Sequence, residues 1–224
     1  MQPTPGHERH NPQLLAMIPA AAQRIVEIGC SSGALAREYM AINAACEYIG
    51  VEIDGTLAGL ASRHCNRVIV ADIEDAVPGL LESLAPAQCW IFGDVLEHLR
   101  DPWGLLARLS RLMRPDDLVL ACIPNMQHWS VQAHLLMGDL RYADSGLLDR
   151  THLRWFTRTT IFEMFRNAGF GLETAMMRSF DNSSGAAMLA AIRASAQALG
   201  LDPHQAEQDA LPLQYLIGAR RAAP

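Results

Sequence analysis

The chain has 224 residues, half of them hydrophobic, and its formal net charge is −6 at pH 7. A length of this order fits one α/β domain with an elaboration, here residues 1–224. Because no long run of basic residues occurs, nothing in the composition indicates a nucleic-acid partner.

The first predicted elements are a helix, a strand and a second helix. Asn11 and Pro12 supply an N-cap and a first helical residue. The β-branched run at 25–28 predicts a buried strand, residues 29–33 a glycine turn, and residues 34–40 a helix. A strand, a glycine turn and a helix in this order build a ligand site. Glycine lets the backbone approach a ligand closely, and the helix N-terminus presents free N–H groups.

Further strands are predicted at 46–54, 68–73, 89–94 and 118–125, with helices over 55–64 and 102–113 between them. Strands that alternate with helices predict a parallel, doubly wound sheet, whose ligand lies beyond the carboxyl ends of the strands. Glu52 ends the second strand, and a carboxylate there can accept both hydroxyls of a ribose. Asp54 faces the same side of the strand, but we expect it to cap the next helix.

Residues 126–158 form a long connection that is rich in Trp, His, Arg and Asp. Long connections in compact domains are usually functional. We therefore predict a cap over the substrate side, with a helix over 129–137 followed by a loop. Thr157 or Thr160 then begins the next helix, which ends at Ala168.

The cysteines are five in number, and none forms a Cys-x-x-Cys pair. Most lie in apolar segments, which predicts buried free thiols and a reducing, cytoplasmic compartment. The sequence shows no signal peptide and no apolar run long enough to span a bilayer. It gives no indication of the oligomeric state.

The glycine turn carries a family resemblance. Glu27-x-Gly29-Cys30-x-x-Gly33 resembles the first motif of class I S-adenosylmethionine-dependent methyltransferases, with Ser31 where that family often has a third glycine. The Gly-x-Gly-x-x-Gly pattern of nicotinamide-dependent dehydrogenases is absent. The resemblance implies a Rossmann-like α/β fold with a seven-stranded sheet, mostly parallel with an antiparallel closing strand. A closing hairpin is then expected at 170–177 and 213–220, with a helix over 185–199 between its strands.

The same resemblance implies S-adenosylmethionine as cofactor and assigns residues to it. Glu52 would hold the ribose, and Asp72 with the backbone of Ile73 would hold the adenine. The full cofactor set expected from the resemblance is Glu27, Gly29, Cys30, Gly33, Glu52, Ile53, Asp72, Ile73 and Asp94. For Asp72 a solvated surface turn is the alternative, and the glycine turn itself could belong to any βα unit.

A second group of chemically active residues follows the fourth strand. In a helical turn, Asp94, Glu97 and His98 would share one face, because they are three and four residues apart. Such a group can hold a divalent cation or act as a general base oriented by an acid.

The spacing resembles the Glu-x-x-Glu-His motif of ubiquinone-pathway O-methyltransferases and small-RNA 2′-O-methyltransferases, with Asp94 for the first Glu. That motif helps to bind a divalent metal, and the small-RNA family takes another histidine from a later loop. The resemblance implies a site for Mg²⁺ or a similar ion made by Asp94, Glu97, His98 and His152. A metal-free catalytic role and a purely structural pair remain as alternatives.

The stretch from 147 to 157 resembles bacterial methyltransferases found with sugar- and polysaccharide-assembly genes. That likeness implies a glycan or small-molecule acceptor. His128, Trp129 and Trp155 would then stack on a flat substrate face, or else they hold the cap to the core.

These observations together predict an S-adenosylmethionine-dependent methyltransferase that acts on a sugar, glycan or small-molecule hydroxyl. His98, His152 and Asp94 are the candidate catalytic residues. The alternative is a non-catalytic, methyltransferase-like binding or regulatory protein, and a dehydrogenase is a third reading.

Overall fold

The computed structural model of the protein describes residues 8–75, 79–180 and 182–222. Its strands form one sheet in the order β3-β2-β1-β4-β5-β7-β6. They are β1 (Arg24–Ile28), β2 (Glu47–Glu52), β3 (Arg67–Val70), β4 (Cys89–Gly93), β5 (Leu118–Pro124), β6 (Phe170–Arg178) and β7 (Gln214–Arg221). Strands β1 to β5 are parallel, and β7 runs antiparallel to both β5 and β6. The predicted fold class, with its antiparallel closing strand, is confirmed.

The helices are α1 (Pro12–Met17), α2 (Ala34–Ile42), α3 (Gly55–Ala61), α4 (Leu80–Leu84), α5 (Pro102–Leu112), α6 (Trp129–Leu136), α7 (Arg158–Asn167), α8 (Ala186–Ala198) and α9 (Pro203–Ala210). Side chains cap several of them where the sequence predicts it. Asn11 accepts the backbone N–H groups of the first turn of α1, Asp54 does so for α3, and Thr157 forms a capping box at α7. None of the described helices is long and apolar enough to cross a bilayer.

The sheet has a hydrophobic cluster on each face, as a doubly wound fold requires. Alternate residues of one strand go to opposite faces, so Val26 and Ile28 join the cluster packed by α5 and α7. Ile25 joins the cluster packed by α1 and α2. The carboxyl ends of β1 and β4 thus lie side by side between two helical layers.

The segment between β6 and β7 differs from the prediction. One helix is expected there, but its described residues form two α-helices, and α9 is the one that the prediction lacks. Its start signal is in the sequence, since Asp202 caps the helix and Pro203 is its first residue. Leu189 and Ala210 from this pair form a third, small cluster against Trp129 of α6.

Candidate active site

The glycine turn after β1 has three residues with left-handed backbone. The φ angles are +72° at Gly29, +50° at Ser31 and +79° at Gly33. A Cβ at Gly29 would lie 2.4 Å from Val95 Cγ2, and one at Gly33 would lie 2.9 Å from the Cα of Ala61. Both glycines are therefore required by packing as well as by conformation, and Ser31 adopts the geometry that a third glycine would favour.

Glu52 lies beside this turn. One carboxylate oxygen accepts the Ser31 N–H at 2.7 Å, and the other accepts the Asp54 N–H at 3.0 Å. Asp54 itself caps α3, as predicted, with hydrogen bonds from Thr56 and Leu57. Only Glu52 of the two acids therefore faces the turn. Its carboxylate holds the turn against the end of β2.

Glu27 and Cys30 lie beneath the turn. The Tyr48 hydroxyl donates to a Glu27 carboxylate oxygen at 2.8 Å, and burial raises the pKa of Glu27 well above its usual range. The Cys30 thiol is buried close to that of Cys65, where the absence of a side chain at Gly50 leaves room for it. All five cysteines are buried and free, as expected. Cys30 could meet a cofactor only through its backbone.

The residues expected around an adenine follow β2 and β3. Ile53 is half exposed and comes directly after β2. Strand β3 ends at Val70, two residues before Asp72, so Asp72 lies in a turn and accepts the Glu74 N–H at 2.9 Å. Ile73 is buried. Asp72 therefore stabilises its turn, and this contact leaves its second carboxylate oxygen for a ligand.

Asp94 follows β4 with a left-handed φ of +55°. Its N–H donates to the Cys122 carbonyl at 3.0 Å, and its carboxylate accepts the amide of Gln214 on β7. Gln214 in turn accepts a hydrogen bond from Arg178 at the end of β6. Sequence reasoning missed Gln214, because a buried glutamine in a closing strand has no local signature.

The turn after Asp94 is a short 3₁₀ helix over Leu96–His98. This corrects the expectation that four residues converge. Glu97, His98 and His152 each offer a ligand atom within 4.8 Å of the other two, but Asp94 lies outside that group. The α-helical spacing on which the expectation rested does not apply, because the 3₁₀ turn and the left-handed Asp94 direct its carboxylate to Gln214.

Glu97 is the least satisfied side chain of this group. It is 1% exposed, and neither carboxylate oxygen has a hydrogen-bond partner among the described residues. Burial, and then the nearby charge of Asp94, raise its pKa well above the usual range. A buried carboxyl in this state holds a proton or requires a cation beside it.

The two histidines come from different elements and meet edge to face, with ring centroids 4.8 Å apart. The backbone that follows His152 brings the ring there, since the N–H groups of Leu153 and Arg154 donate to the Glu97 carbonyl at 2.8 and 2.9 Å. Burial, and then the charge of His98, lower the pKa of His152. The neutral imidazole that a base or a metal ligand needs is thereby favoured.

Comparison with known proteins identifies the family. Residues 7–175 match the family described as "Methyltransferase domain", which is more than half of the chain. The chain belongs to the methyltransferase domain family.

Two curated relatives of this methyltransferase domain are named ubiquinone biosynthesis O-methyltransferase. The one from Methylococcus capsulatus is 30% identical over 125 residues, covering 52% of this chain and 48% of the relative. The one from Rhodopseudomonas palustris is 24% identical over 158 residues, covering 70% and 60%. The matched region thus spans 48% to 60% of the length of these relatives.

A solved structure extends the likeness of fold to nearly the whole methyltransferase domain. The S-adenosylmethionine-dependent methyltransferase from Mesorhizobium loti superposes with a TM-score of 0.60 at 17% identity, over 94% of this chain and 96% of that one.

The ring-bearing residues predicted to face an acceptor in this methyltransferase domain divide into two kinds. His128 is buried and its ring accepts the Ser130 N–H at 3.3 Å, so it caps α6. Trp129 donates to Asn182 at 2.8 Å, and a Cβ at Gly185 would lie 2.5 Å from its ring. Trp129 therefore holds the start of α6 against α8. Trp155 is 47% exposed, and of the three it is the one whose ring is open to an acceptor.

Proposed function

We propose that the protein is an S-adenosylmethionine-dependent methyltransferase that methylates a hydroxyl of a small molecule or glycan. The observation that carries the proposal is the left-handed turn from Gly29 to Gly33 with Glu52 hydrogen-bonded to it, at the end of β1 in a chain of this family. The names of the two curated relatives support a hydroxyl as acceptor. Residues 126–158 would cover the acceptor side of a single domain.

The residues at the ends of β1 to β4 fit the proposed cofactor. Glu52 would accept the ribose hydroxyls, Asp72 and Ile73 would meet the adenine, and the turn from 29 to 33 would approach the amino-acid portion. Glu27 would contribute to cofactor binding from beneath the turn, and Asp94 would contribute to it from the end of β4. The cofactor supplies an electrophilic methyl group on a sulfonium, which is a good leaving group. The protein has to align the acceptor oxygen and remove one proton.

A divalent cation at Glu97, His98 and His152 is the second part of the proposal. The fit rests on the orphaned carboxylate of Glu97, whose burial a cation would offset. Two imidazoles and one carboxylate favour Mn²⁺, Co²⁺ or Zn²⁺ over Mg²⁺, which prefers oxygen ligands. A cation there would lower the pKa of an acceptor hydroxyl. Without a cation, the neutral ring of His98 or His152 would take the proton.

The experiment combines binding and turnover. Calorimetry with S-adenosylhomocysteine should show binding to the full chain, and Glu52→Ala should weaken it while Glu47→Ala, at the other end of β2, leaves it unchanged. Incubation with S-adenosylmethionine and a panel of phenols, sugars and glycans should release S-adenosylhomocysteine and add one methyl to an acceptor. A chain that binds neither cofactor form would overturn the proposal. Full turnover after exhaustive chelation would overturn its cation part alone.

A further inference from the structure

We propose that Thr151 and Asp149 are positioning residues that fix which ring nitrogen of His98 carries its proton. The same segment, residues 126–158, fixes which ring nitrogen of His152 carries its proton. The inference deepens the proposed function and rests on it for the consequence, the presentation of both imidazoles to a cation or an acceptor.

The position of the proton on the His98 ring follows from what its neighbours can donate. Its Nδ1 lies 3.1 Å from the Thr151 carbonyl oxygen and 3.1 Å from the Thr151 hydroxyl oxygen. The carbonyl can only accept. The hydroxyl proton is already donated to Asp149 at 2.7 Å, so the hydroxyl oxygen can only accept as well. With two acceptors before it, Nδ1 must carry the proton.

Asp149 makes this assignment rigid. It is buried, and the oxygen that receives the Thr151 hydroxyl also accepts the Thr151 N–H at 2.8 Å. The two bonds hold Thr151 in one orientation. If the hydroxyl were free to rotate, it could donate to an unprotonated Nδ1 and stabilise the other tautomer.

In His152 a different contact places the proton on the same ring nitrogen, Nδ1. Its Nδ1 lies 3.3 Å from the carbonyl oxygen of Leu147, which can only accept. The backbone N–H of His152 donates to the Asp149 carbonyl at 3.1 Å, and this bond closes the turn that carries the ring. In the neutral state both rings therefore hold the proton on Nδ1 and present the Nε2 lone pair.

This arrangement matters because a lone pair is what both candidate roles require. A ring in the other tautomer would offer an N–H through Nε2, and could neither ligate a cation nor take a proton there. Thr151 and Asp149 keep His98 in the tautomer with a free Nε2 lone pair, although neither belongs to the group of three that could hold the ion.

The first test needs no variant. Nitrogen-15 NMR of the metal-free full chain, at a pH where the rings are neutral, reports the tautomer of each histidine. His98 and His152 are expected in the Nδ1–H form. His98 in the Nε2–H form would overturn the proposal.

The second test separates positioning from folding. Thr151→Val removes the hydroxyl, and Thr151→Ser keeps it. In the valine variant the backbone carbonyl of residue 151 still accepts from Nδ1 of His98, so the Nδ1–H fraction of His98 should fall in part while that of His152 is retained. Mn²⁺ affinity measured by calorimetry should fall about tenfold. The serine variant should match the parent in both. An unchanged His98 tautomer in the valine variant would remove Thr151 from this role.

Two further arms keep the result interpretable. If Thr151→Val does not fold, Asp149→Ala, which removes the acceptor of the Thr151 hydroxyl, should change the His98 tautomer in the same direction, and its failure to do so counts against the proposal. If the parent chain binds no Mn²⁺, the cation part of the proposed function fails. The tautomer measurement then decides the positioning role by itself.

Discussion

Glu97→Gln is expected to stabilise the protein in the absence of divalent cations, which is unusual for a change in a buried residue. The Glu97 carboxylate has no hydrogen-bond partner among the described residues and is 1% exposed. A buried unsatisfied group costs about 1–3 kcal/mol, and more when it is charged. The amide is just as unsatisfied, but it is neutral without taking up a proton. The expected gain in the free energy of unfolding is therefore the cost of protonating the carboxyl, about 1.4 kcal/mol for each pH unit above its unfolded pKa, or about 1–3 kcal/mol near pH 6. That gain corresponds to a rise in Tm of about 2–12 °C for a chain of this size.

The pH dependence follows from the direction of the pKa shift. Burial raises the folded-state pKa of Glu97 above its unfolded value. Between the two values the folded chain holds a proton that the unfolded chain has released. The stability from this group is therefore fully present below the unfolded pKa and is lost as the pH rises through the folded pKa. The advantage of Glu97→Gln should accordingly grow with pH.

The assay is thermal unfolding with and without Mn²⁺ or Zn²⁺, from pH 5 to pH 8. A cation at a hundred times its Kd should stabilise the parent chain by about 2.7 kcal/mol and the variant little. Glu163→Gln, at an exposed position on α7, is the matched control and should behave as the parent. A Glu97→Gln variant less stable than the parent without cation, together with no cation effect on the parent, would show that Glu97 has a purely structural role.

Three further changes test other parts of the site. Glu52→Ala should lower S-adenosylhomocysteine affinity tenfold to a hundredfold, because it removes charge-assisted hydrogen bonds of about 1.5–3 kcal/mol each. Unchanged affinity in calorimetry removes Glu52 from the cofactor site. Trp155→Ala should reduce turnover or acceptor affinity but leave cofactor binding intact, and a variant that merely unfolds assigns Trp155 to the core. Tyr48→Phe should cost about 1–3 kcal/mol in urea unfolding, because it leaves the buried Glu27 carboxylate without its hydroxyl partner. An unaltered midpoint contradicts that reasoning.

The fold could be predicted because its signals are local. β-Branched runs mark the parallel strands, and residues such as Asn11 and Thr157 mark helix starts through hydrogen bonds within one turn. Helix α9 was missed although Asp202 and Pro203 give the same signal as Asn11 and Pro12. Its apolar stripe is short, and without a strong period the start signal alone was not decisive.

The candidate site could be predicted only in part, because much of it is assembled by tertiary contacts. The spacing of Gly29 and Gly33 fixes a turn that local sterics explain. Gln214 is 120 residues from Asp94, and no periodicity brings the two together. The error over Asp94 has a similar cause, since the pattern does not distinguish a 3₁₀ turn from an α-helical one.

The distribution of backbone strain adds an argument that is independent of any ligand. Among the described residues, the non-glycine residues with positive φ are Ser31 and Asp94. Ser31 lies three residues after the end of β1, and Asp94 directly follows β4, the central strand next to β1. Each such residue costs about 1–3 kcal/mol unless its surroundings impose the conformation.

In this protein the surroundings do impose it. Glu52 accepts the Ser31 N–H, and Gln214 and the Cys122 carbonyl hold Asp94. Three residues further on, Glu97 adds a buried carboxylate that has no hydrogen-bond partner within the described part of the chain. A fold organised for stability alone would place glycine at the two strained positions and an apolar residue at the third. These local costs meet at the carboxyl ends of β1 and β4, where a doubly wound fold binds its ligand, and this coincidence supports the proposed position of the site.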